Sequence, residues 1–165
     1  SDAELIEVRD ALRDVLEAFG VATEVGLQLD SRGLVVSIAT DEVLFASGSP
    51  VIQAEGRDLI AVIAPILNEF DNEIRVEGHT DTVPIRTDCL KDNWDLSVMR
   101  ATSVVRTLQT KFGVDPTRLT AGGRGEYIPK DSNATEAGRQ INRRTEIIVT
   151  PKLDQFFELL TKQNA

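Results

Sequence analysis

Short β-prone runs alternating with stretches of helical periodicity constrain this 165-residue chain more than any other feature. Apolar residues fall at Leu5, Val8, Leu12, Val15, Leu16 and Phe19, one face of a helix, and Gly20 follows where a helix stops, which predicts a helix over residues 3–19. Residues 25–29 and 34–39 read as strands joined through the hairpin turn Asp30-Ser31-Arg32-Gly33. After the break at Ser47-Gly48-Ser49-Pro50, a second helix is expected over 54–69, burying Leu59, Ile63, Ile66, Leu67 and Phe70, with Pro65 bending it or moving its start. A strand over 74–77 leads into a long, pattern-poor loop over 82–94. A third helix starts near Asp95, carries Leu96, Val104, Val105, Leu108 and Phe112, and ends at Gly113. Then come a strand over 119–121, a tight turn at Gly122-Gly123-Arg124-Gly125, a helical turn over 134–140 and a strand over 144–149. Pro151 opens a final amphipathic helix with Leu153, Phe156, Phe157 and Leu160. The expected fold is α/β: a two-layer sandwich with a βαβαβ-like core, a mixed sheet, and a helix added at each end. The chain divides into an extension of helix and hairpin over 1–33, a domain over 34–150 and a C-terminal helix over 151–165.

A formal charge of −9 argues against binding a phosphate backbone, which Lys and Arg must drive by releasing counterions. Adsorption to anionic lipid is disfavoured for the same reason, while a local Arg–carboxylate contact stays open. The lone Cys89 forms no internal disulfide. The longest apolar stretch, 59–67, is interrupted by Pro65 and is about half of what a membrane-spanning helix needs. The sequence starts at Ser1, its only Met is Met99, and no signal-peptide pattern precedes the first helix, so it reads as a piece of a longer protein.

Two polar clusters could carry function. His79, Thr80 and Asp81 end the third strand, and Asn93, Ser97 and Arg100 share one face of the next helix, expected to lie opposite its apolar stripe. A strand end and the start of the following helix are neighbours in such folds, so Asp81 and Arg100 would flank one cleft. A carboxylate facing a guanidinium suits a zwitterionic ligand. The alternative is a capping Asp81 and a solvated Arg100. The second cluster, Arg139, Asn142, Arg143 and Arg144, either supplies guanidinium groups to the other wall or forms local salt bridges. A zinc hydrolase needs more ligands than the single His79 offers, so neither a metal nor a cofactor is expected. A Cys89–His79 nucleophile pair is permitted by their spacing but not suggested by it, and paired acids for glycoside cleavage stay open.

The blocks Val76-Glu77-Gly78-His79-Thr80-Asp81, Asn93-Trp94-Asp95-Leu96-Ser97 with Arg100-Ala101, Gly123 with Gly125-Glu126, and Asn142-Arg143-Arg144-Thr145-Glu146-Ile147 resemble, in order and spacing, the OmpA-like peptidoglycan-binding domain over about residues 34–150. Within that superfamily the insert 83–94, with its Asn93-Trp94 step, and the upstream runs 32–37 and 44–49 are similar to the flagellar-motor stator proteins of MotB type. The resemblance implies a sandwich of the OmpA C-terminal type that binds the wall and makes or breaks no bond. It implies the periplasmic domain of a protein anchored in the bacterial inner membrane, a homodimer, and a MotA-type channel subunit as partner, with no nucleic acid. It further implies recognition of diaminopimelate in the stem peptide by Asp81 and Arg100, with contacts from Thr80, Asn93, Ser97 and Arg143 and support from His79, Leu96, Arg139 and Asn142. A wall tether of lipoprotein or outer-membrane type without a motor, and a cell-wall hydrolase, are the alternatives.

Overall fold

A computed structural model describes residues 2–39, 43–152 and 160–162. In chain order the elements are α1 (Asp2–Ala18), β1 (Val25–Asp30), β2 (Gly33–Ala39), α2 (Ala54–Leu67), β3 (Ile74–His79), α3 (Asn93–Phe112), β4 (Leu119–Gly123), α4 (Glu136–Asn142) and β5 (Arg144–Val149). The strands form one mixed sheet in the order β1-β2-β5-β3-β4. Only β3 and β4 run parallel, and α3 is the crossover that a parallel pair requires. The expected α/β sandwich is therefore the observed architecture.

The inner face of the sheet carries the core. Leu34, Val36 and Ile38 of β2, Ile74 and Val76 of β3, and Ile147 and Val149 of β5 join Leu5, Val8, Leu12 and Leu16 of α1, Leu59, Ile60 and Ile63 of α2, and Val104 and Leu108 of α3 in a single cluster. Helix α1 packs on α2, and its core residues follow the spacing predicted from the sequence. Phe19 does not: it lies past the last residue of α1 and is 66% exposed. Helix α3 starts two residues before the expected Asp95, because Asp92 caps it by accepting a hydrogen bond from the Asp95 N–H. Gly113 stops it in the left-handed region, as expected. Strand β3 continues through His79, two residues beyond the expected end. Pro65 is tolerated within the last turn of α2. Of the expected C-terminal helix, Pro151 and Lys152 are not helical, residues 160–162 are, and 153–159 and 163–165 lie outside the described residues.

The outer face is organised around two acids. Glu77 of β3 stands directly across from Glu146 of β5, and they are 1% and 0% exposed. Opposed like charges destabilise a strand pair unless compensated, and here cations close over them. Arg32 in the hairpin turn donates to Glu146 at 2.8 Å, Arg144 donates to it at 3.2 Å, and Lys130 lies 3.6 Å away. Arg75 and Arg124 both donate to Glu77 Oε2, at 2.9 and 3.0 Å. Gly122 makes room for this arrangement, since a Cβ there would sit 2.8 Å from the Arg75 guanidinium. His79 Nε2 lies 3.2 Å from Glu146 Oε1, although neither ring nitrogen reaches hydrogen-bond geometry. Burial would raise the Glu146 pKa, but the His79 contact, the Arg32 hydrogen bond and the Arg144 charge outweigh it and hold the carboxyl well below the ordinary glutamate value.

Two stability predictions follow from this packing. At Gly78 a Cβ would collide with the backbone carbonyl of Ser97, so Gly78→Ala should lower the unfolding free energy by about 1–3 kcal/mol in urea titration. Because Glu146 is depressed in the folded state, its stabilisation is complete above the unfolded value of 4.5 and is lost as pH falls below that value. Glu146→Gln should therefore be less stable by about 2 kcal/mol near neutral pH. It should also lose less further stability than the wild type on acidification to roughly pH 3, as read from urea midpoints at each pH.

Candidate binding cleft at the end of β3

Past His79 the chain leaves the sheet, with the Thr80 N–H donating to the Gly125 carbonyl at 2.9 Å and the Thr80 hydroxyl to the Asp81 carbonyl at 2.8 Å. Asp81 is clamped from two sides. Its Oδ1 accepts from the Val83 N–H at 3.0 Å, and its Oδ2 accepts from Arg143 Nη1 at 2.6 Å. Arg143 is delivered by β5: the β3–β5 register pairs His79 with Arg144, so the residue before Arg144 faces the chain leaving β3. Its Nη2 donates to Glu136 at 2.6 Å, and that bond is the main cause of the lowered Glu136 pKa. Asn93, at the first turn of α3, donates its amide to the carbonyls of Asp81 and Val83, each at 3.2 Å, and so fixes the start of the loop.

Arg100 sits at the other wall. Its Nε donates to the Ser49 carbonyl at 2.9 Å and its Nη2 to the Ala46 carbonyl at 3.1 Å, while the guanidinium lies 5.1 Å from the centre of the Phe45 ring. Between these walls is a cleft of about 350 Å³, lined among others by Thr80, Asp81, Asn93, Leu96, Arg100 and Arg143. Among the described residues its charged side chains are two guanidinium groups and the carboxylates of Asp81 and Glu136.

The structure thus brings Asp81, Arg100, Thr80, Asn93 and Arg143 to one cleft. Ser97 is fully buried beside it and does not line it: its hydroxyl donates to the Trp94 carbonyl and accepts from the Gly125 N–H at 3.0 Å. The expectation that Asn93, Ser97 and Arg100 lie opposite the apolar stripe is overturned. All three are buried and continue the stripe of Ala101, Val104 and Leu108 towards the helix start, because the 45–50 loop folds over Arg100 and the 80–83 loop over Asn93. His79 points into the outer acid–base network and is not among the residues lining the cleft. Arg139 and Asn142 support the second wall: Arg139 binds Glu136 and the Asn133 carbonyl, and the Asn142 side chain accepts from the backbone N–H groups of Lys130 and Asp131.

Sequence reasoning missed Glu136 and the Ser47-Gly48 wall. Glu136 was detectable, since Glu136, Arg139 and Arg143 are spaced i, i+3, i+7. Ser47-Gly48-Ser49-Pro50 read as a break, with 44–49 contributing to the resemblance, and nothing local shows that the Ala46 and Ser49 carbonyls hold Arg100. Glu77, His79 and Glu146 bring possible metal-ligand atoms within 4.8 Å of one another. The arginines already bonded to those carboxylates supply the positive charge that an ion would bring, so the cluster fits an ion-pair network and not a metal centre. Cys89 is exposed in the loop and is not among the cleft residues.

The chain is similar to several known proteins. The chain is 34% identical over 151 residues to Motility protein B of Bacillus subtilis, covering 90% of this chain and 57% of that protein. The chain thus spans about half the length of the curated relatives it matches first. A MotB-like protein from Desulfovibrio vulgaris superposes with a TM-score of 0.84 at 27% identity, over 92% of this chain and 96% of the other. The cell wall anchor of the type VI secretion system of Pseudomonas aeruginosa superposes with a TM-score of 0.77 at 37% identity, over 86% of this chain and 97% of that one. No helix among the described residues is long and apolar enough to cross a membrane. Residues 44–143 match the OmpA family, and that span contains every cleft side chain among the described residues: the chain belongs to the OmpA family.

Proposed function

We propose that this domain holds peptidoglycan non-covalently by taking the diaminopimelate of a stem peptide into the cleft at the end of β3. The observation that carries the reading is the juxtaposition of Asp81 with Arg100 and Arg143 in one small polar cleft of an OmpA-family domain. A free amino-acid end carries an ammonium and a carboxylate together. Asp81 suits the first, and the guanidinium forks suit the second. Thr80 and Asn93 line the same cleft and offer neutral hydrogen bonds, while Ser97 acts by holding Gly125. In this reading the task is binding, with no bond made or broken.

The likeness to Motility protein B supports a place in a flagellar stator. There the domain would sit in the periplasm, on a protein anchored in the inner membrane, as part of a dimer beside a MotA-type channel subunit, and its grip would keep the stator from being dragged round by the rotor. A wall tether without a motor is the second reading, favoured by the 37% identity to the secretion-system cell wall anchor. Both readings share the wall contact.

Sedimentation with purified sacculi tests that contact. Wild type should pellet, and Asp81→Ala should stay in the supernatant with at least about a tenfold loss of affinity, the usual scale for removing one partner of a buried charge-assisted contact. Arg100→Ala should behave the same way, and Arg100→Lys should recover little, because an ammonium lacks the fork. Circular dichroism confirms that each variant is folded. Folded variants that all pellet like wild type would show that the cleft is not the wall-binding site.

A further inference from the structure

The chain has one tryptophan and one tyrosine, and the structure stacks them on each other at the surface. Trp94 and Tyr127 have ring centroids 5.0 Å apart and planes inclined by 30°, yet they remain 47% and 58% exposed. Large aromatic rings are normally among the most useful material for a core, so a paired, half-exposed set needs a reason beyond stability. Both rings lean over Gly125, where a Cβ would stand 3.2 Å from Tyr127 and 3.5 Å from Trp94, and whose φ of +59° favours glycine.

The pair adjoins the cleft. Trp94 follows Asn93, and the Gly125 carbonyl beneath the rings accepts the N–H of Thr80; Asn93 and Thr80 both line the cleft. Gly125 is also held by Ser97, so the platform and the cleft are built on the same three backbone segments.

We propose that Trp94 and Tyr127 form a second subsite that stacks against a pyranose ring of the glycan strand, beside the cleft that takes the stem peptide. This rests on the stem-peptide reading. A stem peptide is attached to its sugar, and three extended residues span roughly 10 Å, so a peptide seated in the cleft keeps a sugar close to its rim. The axial C–H face of an amino sugar is apolar and fits an aromatic ring, while the indole N–H and phenol O–H can meet its hydroxyl and acetamido groups. The glycan is neutral where its lactyl group is used in the peptide link, so the −9 charge of the chain does not oppose it. The platform also gives a use to the Asn93-Trp94 step.

The test compares two soluble probes by calorimetry: the free tripeptide L-alanyl-D-glutamyl-diaminopimelate, and the same peptide carrying its N-acetylglucosamine–N-acetylmuramic acid disaccharide. The disaccharide-peptide should bind wild type about tenfold more tightly, the scale of one well-placed aromatic contact. Trp94→Ala and Tyr127→Ala should each erase most of that advantage while leaving tripeptide affinity within about twofold, which also certifies folding. Trp94→Phe should retain most of it. Because Trp94 is the sole tryptophan, its emission reports directly and should shift with the disaccharide-peptide and not with the tripeptide. Equal binding of both probes by wild type, or an equal loss for both in Trp94→Ala, overturns the subsite and leaves the cleft standing. Binding of neither probe overturns the stem-peptide reading, and this proposal with it.

Discussion

Glu77 and Glu146 face each other across β3 and β5 in the buried middle of the sheet, and the rest of the structure is arranged so that they can. Two carboxylates without water or countercharge would force the strands apart or take up protons. Instead the hairpin turn supplies Arg32, β3 supplies Arg75, the segment after β4 supplies Arg124, and β5 supplies Arg144. These four cations come from separate parts of the chain, so the network ties the hairpin and both sheet halves to one register. A slip of one residue would turn the acids into the apolar layer, which makes the alternative register expensive.

The cleft is where that register runs out. With His79 paired to Arg144, Thr80 and Asp81 emerge opposite Arg143, and the Asp81–Arg143 bond closes the open end of the strand pair. The Arg100 wall depends on α3 approaching β3 closely, which Gly78 permits by having no Cβ against the Ser97 carbonyl. The polar side chains of the cleft are thus held by backbone carbonyls and neighbouring charges of the domain itself. Groups held in this way lose little side-chain freedom on binding, so more of each contact remains as affinity.

Much of this was legible in the sequence, and the failures have a common cause. The periodicity of α1, the hairpin at Asp30–Gly33, the Gly113 stop and the span of β5 depend on local preferences, and the structure has them where the pattern puts them. The order of the blocks around Asp81, Asn93 and Arg143 carried the family resemblance, and the structure brings those three residues to one cleft. Burial of Arg100 could not be read, because two carbonyls that hold it lie some fifty residues upstream and hydropathy counts an arginine as solvated. The opposition of Glu77 and Glu146 depends on which strands pair, which no local window contains. Phe19 failed for the opposite reason: its spacing was right, but the helix had already ended.

The composition of the cleft bears on what it can discriminate. Charges beyond about 8 Å are largely screened at physiological ionic strength, so the net charge of −9 matters less to a bound group than its immediate neighbours do. Among the described residues those neighbours include Arg100 and Arg143 with Asp81 and Glu136, so charges of both signs line the cleft. A simple anion gains from the guanidinium groups but meets both carboxylates, and a simple cation meets the reverse. A group bearing both charges at the right separation can meet both signs at once. Selectivity of that kind comes from what mismatched ligands leave unpaired as much as from what the matched one gains. An acidic net charge therefore does not by itself oppose a ligand that meets charges of both signs at close range.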